Sequence, residues 1–74
     1  MDKALYFKNN KKNLRLLTKF VLKYNLKLCY NDILEQIYKN ENILLCMKKK
    51  YIFLYSLTPE KKPEFLIMKQ EFSR

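Results

Sequence analysis

Basic side chains recur along one side of a helical stretch in the first third of the chain. They are Lys12, Arg15, Lys19 and Lys23, preceded by Lys8 and Lys11. At 100° per residue, spacings of three and four place them along one line, and no acidic residue interrupts it. Such a line can follow a phosphate strand. The alternative is a solvated helix face, but solubilising faces usually mix charges of both signs, so we favour phosphate contact.

The charge of the whole chain is also uneven. The formal net charge is +9, and residues 1 to 30 hold +7 of it, from eight basic residues against Asp2. Clustered positive charge is typical of proteins that bind a phosphate backbone or another anionic surface. The many lysines and asparagines also fit the codon usage of an AT-rich genome, which would explain abundance but not placement on one face.

A second group combines lysines with aromatic residues. Lys48, Lys49 and Lys50 precede Tyr51, Phe53 and Tyr55. In a strand the three aromatic rings share one face, and an aromatic face beside lysines can stack single-stranded bases. The rings could equally pack against the first helix, and we favour that core position. The candidate nucleic-acid-binding residues are therefore Lys8, Lys11, Lys12, Arg15, Lys19, Lys23, Lys48, Lys49, Lys50 and Tyr51.

The residue types needed for catalysis are missing. The chain has no histidine and no glycine, which removes the usual general base and the glycine-rich phosphate loops. Asp32 and Glu35 share a helix face, but helix capping explains them. Cys29 and Cys46 are isolated and give no metal-ligand set; we expect both to be reduced rather than paired. We predict a protein that is not an enzyme and has no metal, cofactor or small-molecule substrate.

The first helix is the clearest element of the sequence. Leu14, Leu17, Val21 and Tyr24 recur at helical spacing, with Leu16 and Phe20 beside them. Asn10 or Asn13 can cap its start, and Asn25 can end it in a left-handed conformation. The stretch Lys11 to Asn25, KKNLRLLTKFVLKYN, resembles the basic helix of the eukaryotic large-subunit ribosomal protein family numbered twenty-two. The resemblance covers 15 of 74 residues and implies contact with ribosomal RNA through Lys12, Arg15, Lys19 and Lys23.

The remaining segments predict a small α+β domain. We expect an edge strand or an extended arm from Ala4 to Phe7. Leu26 to Tyr30 is a short strand or a connector between helices, and we favour a connector with some extended character. A second, shorter helix follows, capped at Asp32 and reaching about Asn40. We then expect a hairpin of Ile43 to Lys48 with Tyr51 to Leu57, a charged loop between Pro59 and Pro63, and a last strand from Phe65 to Lys69. Residues 1–74 then form a single domain, with two helices packed on an antiparallel sheet of three to four strands.

These features favour a binding function. Our first hypothesis is a small RNA-binding protein, with RNA favoured over DNA, in a ribosome or another ribonucleoprotein particle. The alternative is a protein-interaction module, such as a phage-type inhibitor or regulatory subunit of a larger protein, because a chain this short has a thin core that a partner can support. The apolar runs are far too short to span a membrane, the first helix needs its apolar face for the core, and no secretory signal is present. We therefore expect no membrane partner and a cytoplasmic location.

Overall fold

The protein is a five-stranded antiparallel sheet with two helices. The computed structural model describes residues 5–58 and 63–72. Its elements are β1 (Leu5–Lys8), α1 (Lys11–Lys23), β2 (Lys27–Asn31), β3 (Glu35–Lys39), β4 (Ile43–Lys48), β5 (Tyr51–Ser56) and α2 (Pro63–Glu71). The strand order is β1-β5-β4-β3-β2, and all four neighbouring pairs are antiparallel. The α+β class is confirmed, while the predicted three to four strands fall short of the observed five.

Helix α1 forms where the sequence predicts it. The side chain of Asn10 caps its start by accepting a hydrogen bond from the Asn13 amide at 2.9 Å. Asn25 follows its end with a φ of 54°, the left-handed conformation that asparagine tolerates better than most residues. The side chain of Asn13 is buried and donates to the Lys8 carbonyl at 2.8 Å, which ties the helix start to β1.

The buried side of α1 is centred on Leu17 and Phe20. Leu14, which the sequence predicts to face the core, is 37% exposed. The helix is therefore rotated so that Phe20 points into the core, where its ring centroid lies 5.8 Å from that of Tyr24 and 5.5 Å from that of Phe72.

The predicted helix from Asp32 to Asn40 is wrong. The connector before it is strand β2, and β3 runs back beside it after a short turn. One carboxylate oxygen of Asp32 accepts hydrogen bonds from the amides of Leu34 and Glu35 at 2.7 and 2.9 Å. A helix cap satisfies backbone amides in the same way, but here the bonds close the turn of a hairpin. Strand β3 then pairs with β4 along its whole length.

The predicted strand from Phe65 to Lys69 is also wrong, because this segment lies in α2. The helix begins at Pro63, a residue favoured in the first helical turn, where its missing amide hydrogen bond is not needed. Phe65, Met68 and Phe72 are buried at spacings of three and four, which puts them on one side of a helix. Of the predicted charged loop, residues 59–62 lie outside the described residues, as does Ala4 of the predicted first strand.

One face of the sheet carries the core. The hairpin of β4 and β5 is confirmed, and β1 is an edge strand as predicted. Ile52 and Leu54 point toward the helices and are fully buried. The predicted core position of Tyr51, Phe53 and Tyr55 is therefore wrong, since strand alternation puts them on the opposite face. The core residues are Phe7, Ile43, Leu45, Ile52 and Leu54 of the sheet with Leu17, Phe20, Leu26, Phe65, Met68 and Phe72 of the helices and their flanking segments.

Candidate nucleic-acid interface

All ten residues that the sequence predicts to bind nucleic acid are exposed. Four of them, Lys12, Arg15, Lys19 and Lys23, lie along α1, which we call the basic stripe. The side of the helix that carries Leu17 and Phe20 is buried in the core, and the basic stripe runs along the solvent-exposed side next to it. Helix α1 has no acidic residue in its first turn, where acids would complement the helix dipole. The positive end of the helix dipole is therefore not balanced by an acidic side chain of the first turn, which favours an anion from outside the protein.

The fold brings a second set of lysines to the start of this helix. The backbone amide of Asn9 donates to the Lys50 carbonyl at 3.0 Å, and the side-chain amide of Asn9 donates to the Lys48 carbonyl. Lys8 lies opposite Tyr51 in the β1–β5 pair. One end of the sheet, which we call the lysine end, therefore collects Lys8, Lys11, Lys48, Lys49 and Lys50.

An aromatic cluster lies on the sheet face opposite the helices. Tyr6, opposite Phe53 in the register, contacts its ring edge-on at 4.9 Å between centroids. Tyr51 lies 6.4 Å from both of these rings. Tyr6 is 60% and Tyr51 47% exposed. With Tyr55, which shares this side of β5, these residues form what we call the aromatic face. Sequence reasoning missed Tyr6, although its alternation with the buried Phe7 was the available signal.

A shallow apolar depression of about 460 Å³ continues the aromatic face across β4 and β3. Its walls include Phe53, Tyr55, Leu44, Ile37 and Cys46. The Cys46 thiol donates to a Glu35 carboxylate oxygen at 3.1 Å, and burial together with this bond raises the pKa of Cys46 to about 11. The thiol therefore stays protonated at neutral pH and does not act as a nucleophile.

Lysines border this face at both ends. At the lysine end, the Lys48 ammonium lies 5.5 Å from the Phe53 ring centroid and 3.7 Å from a Glu35 carboxylate oxygen. At the other end, Lys27 and Lys39 are directly opposite each other in the β2–β3 pair. Like charges in this position destabilise a sheet, so a bound anion would relieve a local repulsion there.

The same far end meets the last residue of the basic stripe. Lys23, Lys27 and Lys39 line one groove of about 780 Å³. Glu64 also lines it, but its carboxylate accepts hydrogen bonds from the side-chain amides of Asn40 and Asn42, each at 2.8 Å. The groove therefore presents three lysines together with the exposed carboxylate of Glu41, and it lies between the end of the basic stripe and the sheet.

The turn between β2 and β3 exposes two apolar side chains. Ile33 is 99% and Leu34 is 77% exposed. The turn is held by Asp32, whose pKa is lowered because the Tyr30 hydroxyl and two backbone amides donate to its carboxylate. Asp32 therefore remains ionised at any pH above its ordinary titration range, and the turn keeps presenting the apolar pair to solvent.

Two kinds of feature were sought in the described part of the chain: a group of metal-ligating side chains and a helix that could span a membrane. Within residues 5–58 and 63–72, no three His, Cys, Asp or Glu side chains are grouped as a metal site would require. Neither described helix is long and apolar enough to cross a membrane.

Comparison with known proteins gives no relative for this chain. No protein-family model matches it, and neither the curated proteins nor the solved structures contain a significant match. Any function must therefore be argued from the surfaces described above.

Proposed function

We propose that this chain is a small, non-enzymatic RNA-binding protein of the cytoplasm, and that it contacts the phosphate backbone as part of a ribosome or another ribonucleoprotein particle. The observation that carries the proposal is the convergence of basic residues from distant parts of the sequence. Asn9 donates hydrogen bonds to the carbonyls of Lys48, at the end of β4, and of Lys50, in the turn that follows. These bonds set the lysine end beside the start of α1 and its basic stripe. Together they offer an extended track of positive charge.

Lysine determines the kind of recognition that this track supports. An ammonium group is a mobile point charge, whereas arginine presents a rigid fork that reads base edges. The basic stripe has three lysines and Arg15. Contacts of this kind fix the position of a nucleic acid without reading its sequence. We therefore expect recognition of backbone and shape, with weak dependence on sequence.

The salt dependence of RNA affinity tests this function. If the four side chains of the basic stripe each neutralise a phosphate of a 20-nucleotide RNA, the slope of log K against log salt should be about −3 or steeper. Lys19→Gln should reduce the magnitude of the slope by about 0.7 to 1. Fluorescence anisotropy titrations at several salt concentrations give these slopes.

Lys69→Gln is the matched control for that experiment, because Lys69 is an exposed lysine on α2. It should leave the slope unchanged. A wild-type slope near zero would remove the proposed function, and equal effects of the two substitutions would remove the assignment to α1.

A protein-interaction module is the second candidate, and the exposed pair Ile33 and Leu34 favours it. Large apolar side chains that protrude from a turn are costly to leave in water and suit a pocket of a partner protein. In this case a protein partner should stay bound after nuclease treatment and washing in high salt. The double substitution Ile33→Ser and Leu34→Ser should release it, whereas Leu22→Ser, at another exposed apolar residue, should not. Pull-down with purified variants distinguishes the two, and retention by the double variant would argue against this module.

A further inference from the structure

We infer that the aromatic face binds unpaired bases of single-stranded RNA, so that the protein holds a strand by stacking on the sheet as well as by phosphate contact. This inference rests on the proposed function and names the form of RNA that the protein prefers. It concerns a surface on the opposite side of the sheet from α1, and it assigns a role to Tyr6 and Tyr51 that phosphate contact does not need.

The arrangement of the rings suits stacking. Tyr6 and Phe53 meet edge to face, at 75° between their planes, and Tyr51 is inclined by 51° to Tyr6 and by 56° to Phe53. Their planes are therefore not stacked on one another, and the two tyrosine rings keep about half of their surface in solvent. Each exposed ring can take a base on its open side, because every base has an aromatic face.

Neither helix blocks this approach. Both pack against the opposite face, where Ile52 and Leu54 are buried, and within residues 5–58 and 63–72 no element crosses the aromatic face. The depression lined by Leu44, Ile37 and Cys46 adds apolar surface next to the rings. A large aromatic and apolar face left in water is typical of a binding surface.

The lysines around the aromatic face favour an anionic ligand. By the register, Lys8 and Lys48 lie on this side of the sheet at one end, and Lys27 and Lys39 at the other. Along the strand direction the two pairs are separated by about four residues, or about 13 Å, and aromatic sheet faces that bind RNA stack two or three bases. Among the described strand residues on this side, Glu35 is the acid, and it lies 3.7 Å from Lys48.

A second copy of the chain fits this face less well. Because lysines lie at both ends of the face, a symmetric contact would bring lysines of the two copies together, and like charges across an interface are unfavourable. A nucleic acid can contact the lysines with its phosphates and the exposed aromatic rings with its bases. A duplex satisfies only the charges, because its base faces are stacked inside the helix, so single-stranded RNA is the form that this face selects.

Substitutions of the exposed rings test the inference. With a fluorescein-labelled, mixed-sequence 12-nucleotide RNA at fixed salt, Tyr6→Ala and Tyr51→Ala should each weaken binding by about 5- to 100-fold, the range for loss of one stacked base. Tyr6→Phe and Tyr51→Phe should bind like the wild type, since the ring is kept. Leu22→Ala is the control for loss of an exposed apolar side chain and should have no effect. The salt slope should stay unchanged in every tyrosine variant, because no charge is removed.

The outcomes separate this inference from the proposed function. If both alanine variants bind as tightly as the wild type while Lys19→Gln still lowers the slope, the stacking site is overturned and the phosphate track stands. If the duplex of the same sequence binds as tightly as the single strand, the inference is also overturned. An absent salt slope with no single-strand binding removes both.

Photocrosslinking covers the case in which an alanine variant fails to fold. Wild-type protein irradiated with the same RNA carrying 4-thiouridine should form adducts on peptides that contain Tyr6 or Tyr51. Adducts confined to peptides of α1 would overturn the stacking site.

Discussion

Phe72→Ala should remove a large part of the stability of the protein. The Phe72 ring is 5.0 Å from that of Phe7 in β1 and 5.5 Å from that of Phe20 in α1, and the residue is 5% exposed. Truncating a buried phenylalanine costs about 3 to 5 kcal/mol. A 74-residue domain has about 4 to 11 kcal/mol in total, so the variant should lose about a quarter or more of that stability and populate the unfolded state far more at 37 °C.

Urea unfolding followed by circular dichroism measures this loss at a lower temperature. The matched control is Leu66→Ala, because Leu66 is on α2 but 42% exposed, and its truncation should cost less than about 1 kcal/mol. Helix and sheet signals should be lost in one transition, since Phe65 and Met68 of α2 lie in the same core cluster as β4 and β5. A Phe72→Ala variant as stable as the control would show that α2 is not part of the cooperative unit.

The sequence was sufficient for α1 because several local signals agreed there. Thirteen residues repeat a helical period, and asparagines stand at both ends with the conformations that a cap and a stop require. The hairpin of β4 and β5 was also predictable, because each strand is a continuous apolar and aromatic run. In both cases the neighbouring residues alone decided the structure.

Segments 32–40 and 65–69 could not be predicted because local patterns were ambiguous there. Asp32 caps two backbone amides, and this pattern is compatible with a helix start and with a tight turn. The deciding contact is nonlocal, since Ile37 pairs with Cys46 of β4. In α2, the spacing of Phe65, Met68 and Phe72 reveals a helix only when the window extends beyond the five residues considered as a strand.

For the aromatic face, the sequence could not predict which side of the strand is buried. Strand alternation establishes that Tyr51, Phe53 and Tyr55 share a side but not which side is buried. The buried side carries Ile52 and Leu54, whose side chains have no polar atoms that need hydrogen bonds. A buried tyrosine hydroxyl, in contrast, needs a hydrogen-bond partner. Likewise, the sequence predicted two groups of lysines but not that they lie side by side in the fold. Lys8 and Lys50 are brought together by the pairing of β1 with β5 and by the hydrogen bond from Asn9.

Reversing three charges of the basic stripe should abolish most RNA binding. Arg15→Glu, Lys19→Glu and Lys23→Glu together change the formal net charge from +9 to +3, since each substitution removes two units. Losing three phosphate contacts at 0.15 M salt lowers affinity about 100-fold through lost counterion release alone, and repulsion lowers it further. The buried side of α1 at Leu17 and Phe20 is untouched, so the fold should persist by circular dichroism.

Two controls test whether the loss of RNA affinity depends on where the charges lie, rather than on the net charge of the protein or on the kind of basic residue. The triple variant Leu66→Glu, Lys69→Glu and Gln70→Glu alters exposed residues of α2 and lowers the net charge by four, to +5; it should bind within a few-fold of the wild type. Exchanging lysine and arginine at the three stripe positions should also preserve binding, because backbone contacts need only a positive charge there. If the α2 variant lost as much affinity as the α1 variant, the attraction would belong to the whole molecule. If the α1 variant kept full affinity, the contact would lie at the lysine end and the sheet.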